Sequence, residues 1–247
     1  MQIVVITGGS RGLGAAAARA CARRGMGVVV TYKANPESAA RVVAEIVEGG
    51  GEALALPLDV ADVSSFSEFR EALLVAVREK WGREGIDALV NNAGYGVYTP
   101  IESVSEEEFD GLFNVHLKGP FFLTQTLLPL IADRGSVVNM ASATSRVATP
   151  GVAPYASFKG GLEVLTRYMA KEFGERGIRA NAIAPGAIRT ELGGGLTPEF
   201  EAALAGQTAL GRVGEADEVG SVVATLVSED GRWINAQTVE VAGGYCI

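Results

Sequence analysis

Tyr155 and Lys159 stand four residues apart, and Ser142 lies upstream at the end of an apolar run. On a helix, positions i and i+4 share a face, so a phenol comes to lie beside an ammonium. A free tyrosine has a pKa of about 10, and a nearby cation favours its phenolate. Such a pair makes tyrosine a usable acid or base near neutral pH. The same chain opens with a glycine-rich turn suited to a dinucleotide. Together these features point to proton and hydride chemistry on an alcohol or ketone.

The elements that must position these residues alternate along the chain. Ile3-Val4-Val5-Ile6 is a continuous apolar run, as expected of a strand covered on both faces. An alanine-rich helix is predicted over 13–24, then a strand at 28–30, a helix over 38–48 and a strand at 53–56. A helix over 66–80 and a strand at 88–90 follow, then a long helix over 105–131 and a strand over 136–141. The last third reads as a helix over 154–176, a strand over 179–184, a helix over 215–227 and a strand over 238–241. Strands alternating with helices imply βαβ units in a doubly wound α/β fold, a parallel sheet with helices on both faces. No linker divides residues 1–247, which are expected to form one Rossmann-type domain. Segment 189–212, with Gly193-Gly194-Gly195 inside it, reads as an excursion from that domain and a lid over the substrate, with a short helix over 198–205 that Thr197 caps and Pro198 begins.

Composition narrows the function classes. About half of the 247 residues are hydrophobic (48%), enough for a sizeable core. The formal charge of −8, without a dense basic block, argues against nucleic acid or an anionic membrane as partner. Cys21 and Cys246 give no disulfide framework, which suggests a reducing cytoplasm. The first residues read as a strand rather than a charged signal sequence, and no apolar run is long enough to span a bilayer.

After the first strand the chain reads Thr7-Gly8-Gly9-Ser10-Arg11-Gly12-Leu13-Gly14. A pyrophosphate at a helix N-terminus needs bare backbone N–H groups and room to approach. Gly8 suits the tight turn, Gly12 the approach of phosphates, and Gly14 close packing of helix on strand. A glycine turn alone is weak, but its place between a strand and a helix is the context that supports it. An NAD site usually has an acid at the end of the second strand. Here Thr31-Tyr32-Lys33 stands there, with no acid before Glu37. Lys33 and Arg11 suit a 2′-phosphate, which favours NADP over NAD.

In this order, Gly8, Gly12 and Gly14, then Asp59-Val60, Asn91-Asn92-Ala93-Gly94, Asn114, Ser142, Tyr155, Lys159 and Pro185-Gly186 make nearly the whole chain resemble the short-chain dehydrogenase/reductase family. The likeness is to its 3-oxoacyl-carrier-protein reductase-like members. The resemblance implies that Ser142 binds the substrate oxygen, Tyr155 exchanges the proton, and Lys159 lowers the tyrosine pKa and holds the nicotinamide ribose. It implies that Asn114 sits in a helix kink and positions a water that relays protons. It assigns Asp59 and Val60 to the adenine, Asn91 to the sheet centre, and Ile188 and Thr190 to the nicotinamide end. The implied cofactor wall also takes in Ser10, Leu13, Ala93, Gly94, Pro185 and Gly186. A homotetramer, paired through helices 105–131 and 154–176, completes the expectation.

Other features read as structural. His116, the only histidine, has no second His or Cys nearby in sequence to build a metal site, and reads as a packing or surface residue. Glu106-Glu107-Glu108 after Ser105 reads as a capped first helical turn. Two departures from the family pattern stand near the C-terminus: Ala242 precedes Gly243-Gly244 where an Asp is common, and Asn235-Ala236 replaces Thr-Gly. The reading is an NADP-linked carbonyl reductase acting on a small molecule. The alternatives are an NAD-linked sugar or secondary-alcohol dehydrogenase and, from another class, a non-catalytic dinucleotide sensor. The four residues Asn114, Ser142, Tyr155 and Lys159 argue against the sensor, which has no need of them.

Overall fold

The computed structural model describes residues 1–247 except for the surroundings of Gly193. Seven parallel strands form the centre: β1 (Ile3–Ile6), β2 (Gly27–Tyr32), β3 (Glu52–Pro57), β4 (Ile86–Asn91), β5 (Ile131–Met140), β6 (Arg179–Pro185) and β9 (Thr238–Val241). Their order is β3-β2-β1-β4-β5-β6-β9. The chain winds outward from β1 to β3, then returns to β4 and winds the other way. The crevice between β1 and β4 is therefore the point where a doubly wound sheet leaves room for a ligand.

Both sheet faces are covered, which is why the strands read as unbroken apolar runs. Val4 and Ile6 point into one core with α1 (Gly12–Arg23), α2 (Pro36–Glu48) and α8 (Ala216–Val227). Ile3 and Val5 point into the other, filled by α3 (Phe66–Trp81), α5 (Gly119–Leu127) and α6 (Ala153–Glu172). Local chemistry sets the helix ends. Asn35 accepts the Ser38 N–H before α2, and Ser105 accepts the Glu108 N–H before α4 (Glu106–Phe113). Gly82, at φ 63°, ends α3 in a left-handed turn. Among the described residues no helix is long and apolar enough to cross a membrane.

Amide side chains tie the centre of the sheet. Asn91 Nδ2 donates to Asn139 Oδ1 at 2.8 Å and to Thr124 Oγ1 at 3.0 Å. Asn139 Nδ2 in turn donates to Thr166 Oγ1 at 2.9 Å. Asn91 and Asn139 face each other in the β4–β5 register, and both are buried.

Three elements differ from the sequence expectation. The helix expected over 105–131 is interrupted where the resemblance puts a kink at Asn114: α4 passes into a π-helical turn, Asn114–Lys118, before α5 begins. Pro120 has no N–H for the carbonyl four residues back, so a uniform α-helix cannot run through this point. Strand β5 starts at Ile131, not 136, with a register shift opposite Ile86 and Ala88, and Arg134 has φ 65° within it. The segment after β6 carries a small parallel pair, β7 (Ile188–Arg189) with β8 (Gly214–Glu215), and between them α7 (Pro198–Gly206). Thr197 caps α7 by accepting the Phe200 N–H, as expected from Thr197-Pro198.

Candidate active site

Three residues converge beyond the carboxyl end of β5. Ser142 lies where the strand runs out, and its hydroxyl oxygen accepts the Thr144 N–H at 3.2 Å. Thr144 Oγ1 also donates to it, at 2.9 Å. Tyr155 and Lys159 are one helical turn apart near the start of α6. Lys159 is only 4% exposed, and its ammonium donates to the Met140 carbonyl. Lys159 Nζ lies 5.5 Å from the centroid of the Tyr155 ring, over its face.

The electrostatics correct one sequence-based expectation. The pair was expected to hold the tyrosine toward phenolate. Burial pushes the Tyr155 phenol up from its ordinary value, and the Ser142 hydroxyl pulls only partly against it. Burial also drives the Lys159 ammonium down to about 7.

The π-helical turn brings a fourth residue near. Asn114 opens it, and the Asn114 carbonyl accepts the N–H of Gly119 five residues on. A Cβ on Gly119 would run into the Val60 carbonyl, so glycine lets this turn pack against the chain after β3. His116, in the same turn, is buried. Its Nε2 lies 2.8 Å from the Tyr95 carbonyl, and its ring stands edge-on to Tyr155 with centroids 4.9 Å apart.

The glycine turn lies at the β1–β4 crevice. Gly8 has φ 64°, and a Cβ there would meet Ala93 Cα at 2.8 Å. A Cβ on Gly14 would strike the Gly8 carbonyl and Asn92 Nδ2. Among the described residues no side chain caps the α1 N-terminus and its first turn carries no acid, so the first amides of the helix are left without a side-chain acceptor. These features fit a pyrophosphate. Two residues without an assigned role in the sequence reading, Thr7 and Asn92, bind the turns together. Thr7 Oγ1 accepts the Asn92 and Ala93 N–H groups at 2.9 and 3.0 Å, and Asn92 Nδ2 donates to the Thr7 carbonyl at 2.8 Å. Their signal was position alone: a threonine and an asparagine at the ends of adjacent strands.

The remaining residues fall around this crevice. Leu13 packs into the core beneath α1, while Ser10 and Arg11 stand at the turn. Gly94 packs on His116, and Thr190 faces Gly12. Gly186 follows Pro185 and packs directly on Ala242, where a Cβ would come within 2.8 Å of the alanine's own. Ile188 leads into the β7–β8 pair. Lys33 and Arg11 are engaged within the chain rather than free: Lys33 Nζ is 2.8 Å from Asp59, and Arg11 is 3.4 Å from Glu191. Burial tends to raise the Asp59 carboxyl, but Lys33 and the Ala61 N–H outweigh it and hold it below its ordinary value. Both pairs are largely exposed, so each is weak and exchangeable.

Residues 8–246 match the family described as Enoyl-(Acyl carrier protein) reductase. The chain belongs to the short-chain dehydrogenase/reductase family. It is accordingly an oxidoreductase. Among curated relatives, 3beta-hydroxysteroid dehydrogenase 1 of Eggerthella lenta is 37% identical over 248 residues, covering 98% of this chain and 93% of that one. A probable tetrahydroxynaphthalene reductase of Zymoseptoria tritici is 33% identical, covering 100% and 95%. The crystal structure of the angucycline C-6 ketoreductase LanV with bound NADP superposes with a TM-score of 0.95 at 33% identity, covering 99% and 95%.

Proposed function

We propose that this protein is an NADP(H)-linked carbonyl reductase acting on an apolar, ring-containing ketone or the matching secondary alcohol. The observation that carries the reading is the Ser142–Tyr155–Lys159 group beside a glycine cradle, with Ser142 and Lys159 buried and Tyr155 half-buried. Relatives named for naphthalene, angucycline and steroid substrates support the substrate class. So do Tyr98, Leu192 and Leu210 and, on α7, Phe200, all exposed. NADP(H), when bound, supplies or accepts the hydride.

The chain's own residues do the rest. Ser142 holds the substrate oxygen by a hydrogen bond. Tyr155 gives its proton to that oxygen during reduction, and takes it back during oxidation. Because burial raises the phenol, Tyr155 keeps its proton at neutral pH and is ready as an acid. Lys159 stabilises the phenolate that results and holds the ribose hydroxyls, and Asn114 positions the water through which the proton is restored. Segment 189–212 is a lid, with Gly194 and Gly195 as its loose point and α7 as its moving body. Phe121 on α5 and Val164 and Tyr168 on α6 stay exposed in the single chain, which supports a homotetramer paired through these helices. Two free cysteines suit a cytoplasmic setting.

A second reading, an NAD-linked dehydrogenase, is favoured by one observation: Lys33 and Arg11 already have acidic partners. The test is a screen of polycyclic ketones and their alcohols with both cofactors, run beside Tyr155→Phe. Turnover with NADPH that falls about 10²–10⁴-fold in the variant, with cofactor binding kept, is expected. A variant that keeps most of its kcat overturns the assignment.

A further inference from the structure

His116 has an environment that ordinary packing does not explain. It is 1% exposed, yet only one of its two ring nitrogens has a partner. Nε2 lies 2.8 Å from the Tyr95 carbonyl, which can only accept, so Nε2 carries the hydrogen. Nδ1 is then a buried lone pair with no donor. Leaving a buried polar atom unmatched costs on the order of 1–3 kcal/mol, and phenylalanine would avoid it. The imidazole is also held neutral: burial, then the Lys159 charge, drive it down to about 3. A leucine or phenylalanine would fill the space, but neither could tether Tyr95.

The ring has two neighbours that matter. Its edge meets the Tyr155 ring at 83° between planes, and Cε1 lies 2.7 Å from where a Cβ on Gly94 would sit. Gly94 and Tyr95 belong to the turn after β4, whose Asn92 and Ala93 are bound to Thr7 below the glycine cradle. His116 therefore stands between the dinucleotide crevice and the phenol. We propose that His116 is a positioning residue: its neutral imidazole, tethered through Nε2–H to Tyr95, fixes the Tyr155 ring relative to the cofactor turn. The inference rests on the role given to Tyr155 above. A misplacement of about 1 Å at a reacting group costs roughly 10²-fold, so a support of this kind acts on kcat.

The sequence contains one histidine, so a ¹⁵N-histidine label reports this site alone. In the wild-type protein the expected spectrum is the neutral Nε2–H tautomer, unchanged from about pH 5 to 8. Two variants separate ring from tether: His116→Phe keeps the ring and loses the donor, and His116→Gln keeps a donor and loses the ring. Each is expected to lower kcat about 10- to 100-fold, while KM for the ketone and the NADPH Kd stay within about twofold. An imidazole that titrates near its ordinary value, or wild-type kcat in both variants, overturns the proposal. A variant whose losses appear equally in Kd, KM and kcat also overturns it, since that marks general disruption. The Tyr155→Phe control keeps the two readings apart. If it is inactive while the His116 variants are normal, only the positioning role fails. If it is active, the assignment of Tyr155 fails first.

Discussion

Replacing Lys159 by methionine is expected to make the cofactor-free protein more stable while removing its activity. The Lys159 ammonium falls from 10.5 in the open chain to about 7 in the fold, with burial as the cause. Each tenfold change in proton affinity is worth about 1.4 kcal/mol, so below pH 7 the buried charge costs roughly 5 kcal/mol. Methionine fills similar space without charge but leaves the Met140 carbonyl unmatched, at about 1–3 kcal/mol. The net gain is about 2–4 kcal/mol at pH 6, or roughly 4–16 °C in Tm for a chain of this size. The sign of the pH dependence follows from linkage. Between about 7 and 10.5 the unfolded wild-type chain binds more protons than the folded one, so wild-type stability rises with pH there relative to the variant. Melting curves of both proteins, without cofactor and at one protein concentration, from pH 6 to about pH 10 are the assay. The variant's advantage is expected to shrink steadily as pH rises. A variant that melts below wild type at pH 6, or a gap that does not change with pH, refutes the reasoning.

Other outcomes follow from the same site. Lys33→Ala is expected to weaken NADPH by roughly 1.5–3 kcal/mol and leave NADH little changed; equal losses by titration calorimetry would remove Lys33 from the 2′-phosphate. NADP(H) with a substrate analogue is expected to slow hydrogen exchange across residues 192–204, and unchanged exchange there leaves the lid an ordinary loop. Light scattering at micromolar protein is expected to give four times the 25.6 kDa chain mass, and a monomer would refute the helix-paired tetramer.

Much of the fold was legible because its signals are local. Runs such as Ile3–Ile6 are apolar on every residue, which only a strand covered on both faces requires. Helix α7 was readable from Thr197 and Pro198 alone, since cap and first turn lie within four residues. The missed features depend on distant partners. Strands β7 and β8 have two residues each, too few for any periodicity, and exist only because they meet. The Lys33–Asp59 pair joins the ends of adjacent strands β2 and β3, and no sequence spacing announces it. The break at Asn114–Lys118 is expected only from the family resemblance, which puts a kink at Asn114; its one local sign is Pro120, and the apolar pattern runs through it unchanged. In the site, residue types and spacing were visible, whereas the raised Tyr155 phenol was not. It depends on how much water the fold excludes, and that is a property of the packed protein.

The Asn91–Asn139 contact fixes more than a local hydrogen bond. Sliding β4 past β5 by one residue would turn every side chain to the opposite face and separate the two amides. The contact therefore locks the phase in which Ala93 and Gly94 leave one strand and Ser142 leaves the next. The loops above that level are released from the task of alignment. Grafting a different sequence into 96–100 or 146–152, which leaves Tyr95 and Thr144 in place, ought to alter which molecules fit while the reacting groups stay in register, making these loops the natural place to reprogramme the enzyme by design.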